Sequence, residues 1–347
     1  MTVSTHRHER TALTDEQRAV LDLTDALCTR HLTVSDDPSA IADARALLAR
    51  QGLWVLDAAE DDVLPTALLV VSRIARTWPA LALAAAHALA AVEVVKHEAG
   101  SGQLLSDVLA GNPVAVIDGA GSGTDLRADD ATSGVHGNIA RVDVAGDTWL
   151  IVVNPPGAEG TAVVVAPAEI RYGPRLRTTG LAGAGTRGAS LSSARPSAVV
   201  RPTCPDRPLI LLRLAVAAAM AGTAEGAHLA ALEHARTRQQ FGGPLIDLPT
   251  IRTALATSAR DLHSAFAAIT TASEVPNTVG AAQTLSACAE AALRVTDAAV
   301  GLHGGYGYLV ENKVEANLRD VVSLRAAADV RAAERAAARF LHEGSTA

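Results

Sequence analysis

The chain has 347 residues, 49% hydrophobic but only 3% aromatic, and its 30 Lys and Arg against 37 Asp and Glu give a formal charge of −7. That balance, with the basic residues scattered, argues against nucleic acid or an anionic membrane as the main partner. Three widely spaced cysteines, Cys28, Cys204 and Cys288, suggest neither a metal quartet nor a disulfide framework, so a reduced, cytoplasmic chain is expected.

The apolar content is mostly Ala, Leu and Val, and Ala with Leu favours helix because neither loses much side-chain freedom there. The polar start, residues 1–17, has no apolar run of the secretory kind. Residues 1–112 read as a helical lobe. Thr14 with Gln17 forms a capping-box pattern before an apolar run, and 38–52 and 64–77 carry apolar residues at three and four spacing. The apolar stretch 79–95 falls short of the ~20 residues that span a bilayer and contains His87 and Glu93, so it predicts a core helix. The stop "AGNP" at 110–113 closes the lobe.

From 113 to 207 the texture changes to Gly, Pro, Ser and Thr with short β-branched runs at 113–117, 139–144, 148–153 and 161–166. These predict a compact antiparallel β-domain, with 173–197 as a loop leading to its last strand. From 208 to 347 helical pattern returns at 209–237, 250–274, 278–300 and 313–342, with Arg213 inside the first apolar run and "GLHGGYGY" between the last two helices. The expected class is α+β, mainly α: a helical lobe, a small β-barrel domain and a four-helix bundle.

Two motifs carry chemistry. "ARTRQQFGGPL" (235–245) ends a long helix, where an Arg is favoured by the dipole and a Gly terminates the turn. About sixty residues later comes "AAVGLHGGYGYLVENKVEANLRD" (298–320). Together, at this separation and after a β-domain, they resemble the C-terminal half of the acyl-CoA dehydrogenase family, with its R-x-x-F-G and Q-x-x-G-G-x-G-[FY]-x-x-E…R-D patterns. The resemblance implies the family's three-part fold and an FAD cofactor shared across a subunit interface. Arg238, Phe241, Gly304 and Gly305 would then reach the adenosine diphosphate half of a neighbour's FAD. Arg suits a phosphate by its two donors, and bare glycine amides allow close approach. No metal is implied.

The chain also departs from the family. Gly301 stands where the second motif opens with Gln, and Pro249 replaces the Gln after the F-G turn. The flavin-ring stretch T-E-P-x-x-G-S-D is degraded to "IDGAGSGTD" (117–125), and the W-x-[ST]-N stretch is absent. In the family a carboxylate takes the α-proton of the thioester from one of two places. By the resemblance these are Ala328 and Leu212, neither a carboxylate. A positioned base contributes roughly 10²- to 10⁴-fold. Asp329, one helical step (~100°) from Ala328, and Glu225, thirteen residues beyond Leu212 on a different face, are the nearest substitutes. His87 and His303 read as packed histidines.

One branch of the family, in actinobacterial steroid side-chain degradation, pairs a full-length subunit with a shorter one in an α2β2 assembly, and this chain is similar to the shorter, base-lacking partner. The leading expectation is a subunit of a heteromeric acyl-CoA dehydrogenase acting on an acyl-CoA or acyl-carrier-protein thioester. It would contribute FAD-diphosphate contacts in trans while a homologous full-length acyl-CoA dehydrogenase subunit supplies the base. The alternative is a flavin-free or non-catalytic relative: a lyase, cyclase, dehydratase or structural subunit.

Overall fold

The computed structural model describes residues 13–56, 63–96, 102–128 and 134–344. The first twelve residues of the polar N-terminal stretch lie outside them.

Among the described residues, five helices come first: α1 (Asp15–His31), α2 (Pro38–Arg50), α3 (Leu64–Thr77), α4 (Pro79–Val95) and α5 (Gly102–Leu109). The capping box at Thr14 forms as expected, the Thr14 hydroxyl accepting from the Gln17 amide and the Gln17 side chain from the Thr14 amide. All residues of α4 are buried, which explains why its sequence shows no polar stripe: a helix apolar all round must sit inside.

Eight strands follow, in two four-stranded sheets. One has the order β1 (Val114–Asp118), β4 (Trp149–Val153), β5 (Ala162–Val165), β8 (Ala198–Val200), and the other β2 (Thr124–Ala128), β3 (Val135–Val142), β7 (Arg187–Ala194), β6 (Ile170–Arg175). Two expectations are corrected here. The β-region is not wholly antiparallel, because β1 and β4 pair in parallel, Val114 facing Trp149. Parallel neighbours need a crossover, and β2 with β3, built into the other sheet, supply it. Nor is 173–197 a loop, since β7 lies within it and pairs with both β3 and β6. Its sequence, RGASLSSA, contains no β-branched residue, and only its inward Ala189, Leu191 and Ala194 mark it as a strand.

The remaining helices are α6 (Arg207–Thr237), α7 (Pro249–Glu274), α8 (Thr278–His303), α9 (Val314–Ala327) and α10 (Val330–Gly344). Helix α6 is long and apolar enough to cross a membrane, but it is mostly buried within the fold. It crosses α3 closely at Gly222, where a Cβ would meet the Ser72 carbonyl oxygen at 2.0 Å. The segment expected as one helix over 313–342 is broken. Ala328 closes α9, and Asp329 takes a positive φ of 43°, a region Asp tolerates better than most residues. The Asp329 carboxylate then accepts from the Ala332 amide, acting as a cap for α10.

Candidate functional site

Helix α6 organises the functional geometry because its two ends carry different constellations. Near its start, Leu209, Leu212, Arg213 and Val216 form one wall of a cavity of about 410 Å³. The end of β1 with the turn that follows it, β3, His87 from α4 and the α9–α10 break form the rest. The volume falls in the range of small-molecule pockets, and the lining is chiefly Ala, Val, Leu and Ile with a few convergent polar groups.

Leu212 and Ala328, the two positions at which the resemblance implies a base, both line this cavity, so the residues matching the family's base positions do meet at one site. Of the two substitutes, Asp329 also lines the cavity. The helical-step argument against it does not hold, because it sits in the break between helices rather than inside one. Its carboxylate accepts from both the amide and the hydroxyl of Ser122, tying the β1–β2 turn to the break. Glu225 is elsewhere. Arg76 forks onto its carboxylate (Nε to Oε2 2.6 Å, with Nη2 on Oε1), and Arg73 Nη1 approaches at 3.5 Å, Glu225 and Arg73 being buried and Arg76 nearly so. Glu225 joins α3 to α6 and takes no part in the cavity.

Sequence reasoning missed Asp118, Asp143 and Arg141 as cavity residues, used Arg213 only as a landmark and read His87 as a packed histidine. Asp118 ends β1, accepts from the Ala120 amide at 3.1 Å and lies 3.5 Å from Arg213 Nη2. Burial holds its carboxyl above the usual range, opposed by the Ala120 amide and Arg213 and reinforced by Asp206 and Asp329. Asp143 accepts from Thr186 Oγ1 at 2.6 Å and from Arg141, whose other nitrogen donates to the Ser323 carbonyl. His87 accepts from the Val116 amide at Nδ1, and burial pushes its pKa down to about 4, so it is a neutral ring with its proton on Nε2. The available signal was a strand ending in Asp and followed by Gly, in the quoted stretch 117–125.

At the other end of α6 the two motifs meet. Arg238 caps the helix, and its guanidinium stands 5.4 Å from the centroid of Tyr306, directly after Gly304 and Gly305. Phe241 and Gly242 make a two-residue turn between Gln239–Gln240 and Gly243–Pro244, with φ of 55° and 89°. Two successive positive φ values suit a tight hairpin, but a bulky residue at the first is strained, and Phe241 is left 81% exposed. Beneath, the rings of His234 and His303 stack at 4.3 Å, which packs the ends of α6 and α8 together. The later R-D of the motif pins a loop: Arg319 pairs with Glu315 and donates to the Thr179 carbonyl, and Asp320, pushed up to about 6 by burial, accepts from the Leu181 amide.

This end fits the diphosphate part of an FAD. Arg238 has no carboxylate partner among the described residues, and a Cβ on Gly242, Gly304 or Gly305 would meet nothing within 4 Å, so the backbone is open to approach.

Comparison with known proteins agrees with the fold and with its C-terminal part. A steroid ACAD is similar over nearly its whole length, with a TM-score of 0.76 at 20% identity over 96% of this chain and 99% of that one, so the fold is that of the acyl-CoA dehydrogenases. Residues 207–328 match the family described as acyl-CoA dehydrogenase, C-terminal domain. The 3-sulfinopropanoyl-CoA desulfinase of Paraburkholderia xenovorans is 35% identical over 112 residues, covering 31% of this chain and 29% of that protein. The short-chain specific acyl-CoA dehydrogenase of Megasphaera elsdenii is 37% identical over 113 residues, covering 31% of this chain and 30% of that protein. The matched stretch therefore spans under a third of either relative.

Proposed function

We propose that this chain is a subunit of an FAD-dependent oxidoreductase of the acyl-CoA dehydrogenase type, acting on an acyl-CoA or acyl-carrier-protein thioester, and that it contributes to the FAD site in trans. One observation carries this reading. Val216 still lines the cavity and Arg238 caps the same helix 22 residues later, so roughly 33 Å of helix separates cavity from cradle. That is longer than an extended flavin dinucleotide, and one FAD cannot use both within a single copy. Arg238, Gly304 and Gly305 then serve the diphosphate of an FAD whose ring lies in a neighbouring subunit. The homologous, full-length subunit is the partner, and the two-component name of the Tcur3481-Tcur3483 steroid ACAD is compatible with such pairing.

When bound, FAD supplies the acceptor for the hydride leaving the β-carbon. This chain's residues would do the rest at their end: Arg238 would neutralise phosphate charge, the open backbone at Gly304 and Gly305 would allow close approach, and Phe241 and Tyr306 would cover the contact from water. The apolar Leu212 and Ala328 support a base contributed by the partner for dehydrogenation at the partner's cavity. A cytoplasmic, reduced setting belongs to the same proposal.

Expressing the chain alone and with the partner tests this. The expected result is a colourless chain alone and a yellow complex. Arg238→Ala in this chain should weaken FAD retention about 10- to 150-fold, the worth of a charged hydrogen bond. A colourless complex, or FAD retention indifferent to Arg238, overturns it. A second reading, a flavin-free lyase or structural subunit, is favoured by the missing carboxylates at Leu212 and Ala328, and a colourless complex would support it.

A further inference from the structure

The trans reading leaves this chain's own cavity without a task, although Asp118, Asp143, Asp329 and Arg213 all line it. We propose that Asp118 is the acid–base residue of this cavity, removing and returning the α-proton of an acyl thioester while Arg213 faces the carbonyl oxygen. The substrate class rests on the reading given under Proposed function. The site and the residue rest on the cavity itself.

The choice among the cavity's carboxylates follows from their hydrogen bonds. Asp143 is saturated by Thr186 and Arg141. Asp329 is committed to the Ser122 amide and hydroxyl and to the Ala332 amide. Asp118 accepts one amide hydrogen bond at Oδ1, and its Oδ2 has only a long contact of 3.5 Å with Arg213 Nη2, which leaves lone pairs free toward the cavity. Its position is also apt. Arg213 immediately follows Leu212, so the strand end places a carboxylate beside the very helix turn that lacks one. The apolar walls raise its basicity above that of an ordinary aspartate, and Asp206 and Asp329 add to this while Ala120 and Arg213 oppose it.

The step balances without an oxidant. The Cα–H bond breaks, an O–H bond forms on Asp118, and the electron pair passes into the thioester carbonyl as an enolate, whose oxygen the Arg213 guanidinium stabilises. Return of a proton from the exchanged carboxyl restores the thioester. Carbon–hydrogen exchange is therefore the observable, and it requires no flavin.

The full-length chain, alone and with its partner, is incubated in heavy water with butyryl-CoA and with the more acidic phenylacetyl-CoA, and deuterium at the α-carbon is followed by mass spectrometry. Wild type should incorporate deuterium well above the buffer rate, with an acid limb centred above the ordinary aspartate range. Asp118→Asn should lower the rate about 10²- to 10⁴-fold, with thermal unfolding verifying that it folds, and Asp118→Glu should recover part of it. No exchange by wild type above buffer, or exchange by folded Asp118→Asn at the wild-type rate, overturns the proposal. Loss confined to Asp329→Asn overturns it equally. A colourless complex that still exchanges sinks the trans reading and leaves Asp118 standing.

Discussion

The two ends of α6 differ in how complete they are within one chain. At the cavity end, Leu209, Leu212, Arg213 and Val216 are met by two strands, an interhelical break and a histidine from α4, so walls and polar groups are all supplied internally. At the cradle end, Arg238 and the glycine turn meet correctly, yet Phe241, Tyr306, Tyr308 and Val310 face solvent. Large exposed apolar groups of this kind are what the proposed partner would cover. One end is a finished pocket whose expected carboxylates are gone. The other keeps its motif residues at an exposed surface.

Glu225 lies between the two ends, and removing it should have the largest effect. Glu225→Ala removes the carboxylate that Arg76 forks onto and Arg73 approaches, with Asp25 at 3.9 and 3.6 Å still beside them, and should cost about 3–5 kcal/mol in urea unfolding. If the loss is below 1 kcal/mol, the join between α3 and α6 does not depend on this ion cluster. Acid comes next and acts on the cavity end. His87 has a pKa of about 4 in the folded chain against about 6.5 unfolded, so between these values the unfolded state binds more protons. The stability it contributes is complete above pH 6.5 and is lost as pH falls toward 4, about 3 kcal/mol in all. His87→Gln should flatten that part of the stability–pH curve. The smallest effect belongs to the cradle end. Phe241→Gly relieves a strained positive φ and should change stability by no more than about 1 kcal/mol in either direction, while weakening association with the partner in sedimentation. An unchanged association would remove Phe241 from the covered surface.

Much of the fold was legible because helices announce themselves locally. The Thr14 capping box, the apolar periodicity of α2 and α3, and the Gly and Pro stops all act within a few residues. The cradle was legible for the same reason: Arg238, Phe241 and the glycines lie in two short motifs. Strand β7 was hidden because its residues are small and polar, and only its neighbours β3 and β6 make it a strand. The break at Asp329 was hidden because Ala-rich sequence on both sides is equally good helix, and the deciding contact comes from Ser122, 207 residues away.

By itself, then, the sequence determined the order of helical and β regions, the motif pair at 235–245 and 298–320, and the absence of carboxylates at 212 and 328. Those properties depend on neighbours in the chain and on residue identity. Tertiary structure alone decided that Glu225 is an ion-pair anchor, that Asp329 is a cap and a tether, and that Asp118 stands 3.5 Å from Arg213 in the lining of a largely apolar cavity. A carboxylate's role depends on its desolvation and its partners, and both are set by segments that meet only when the chain has packed.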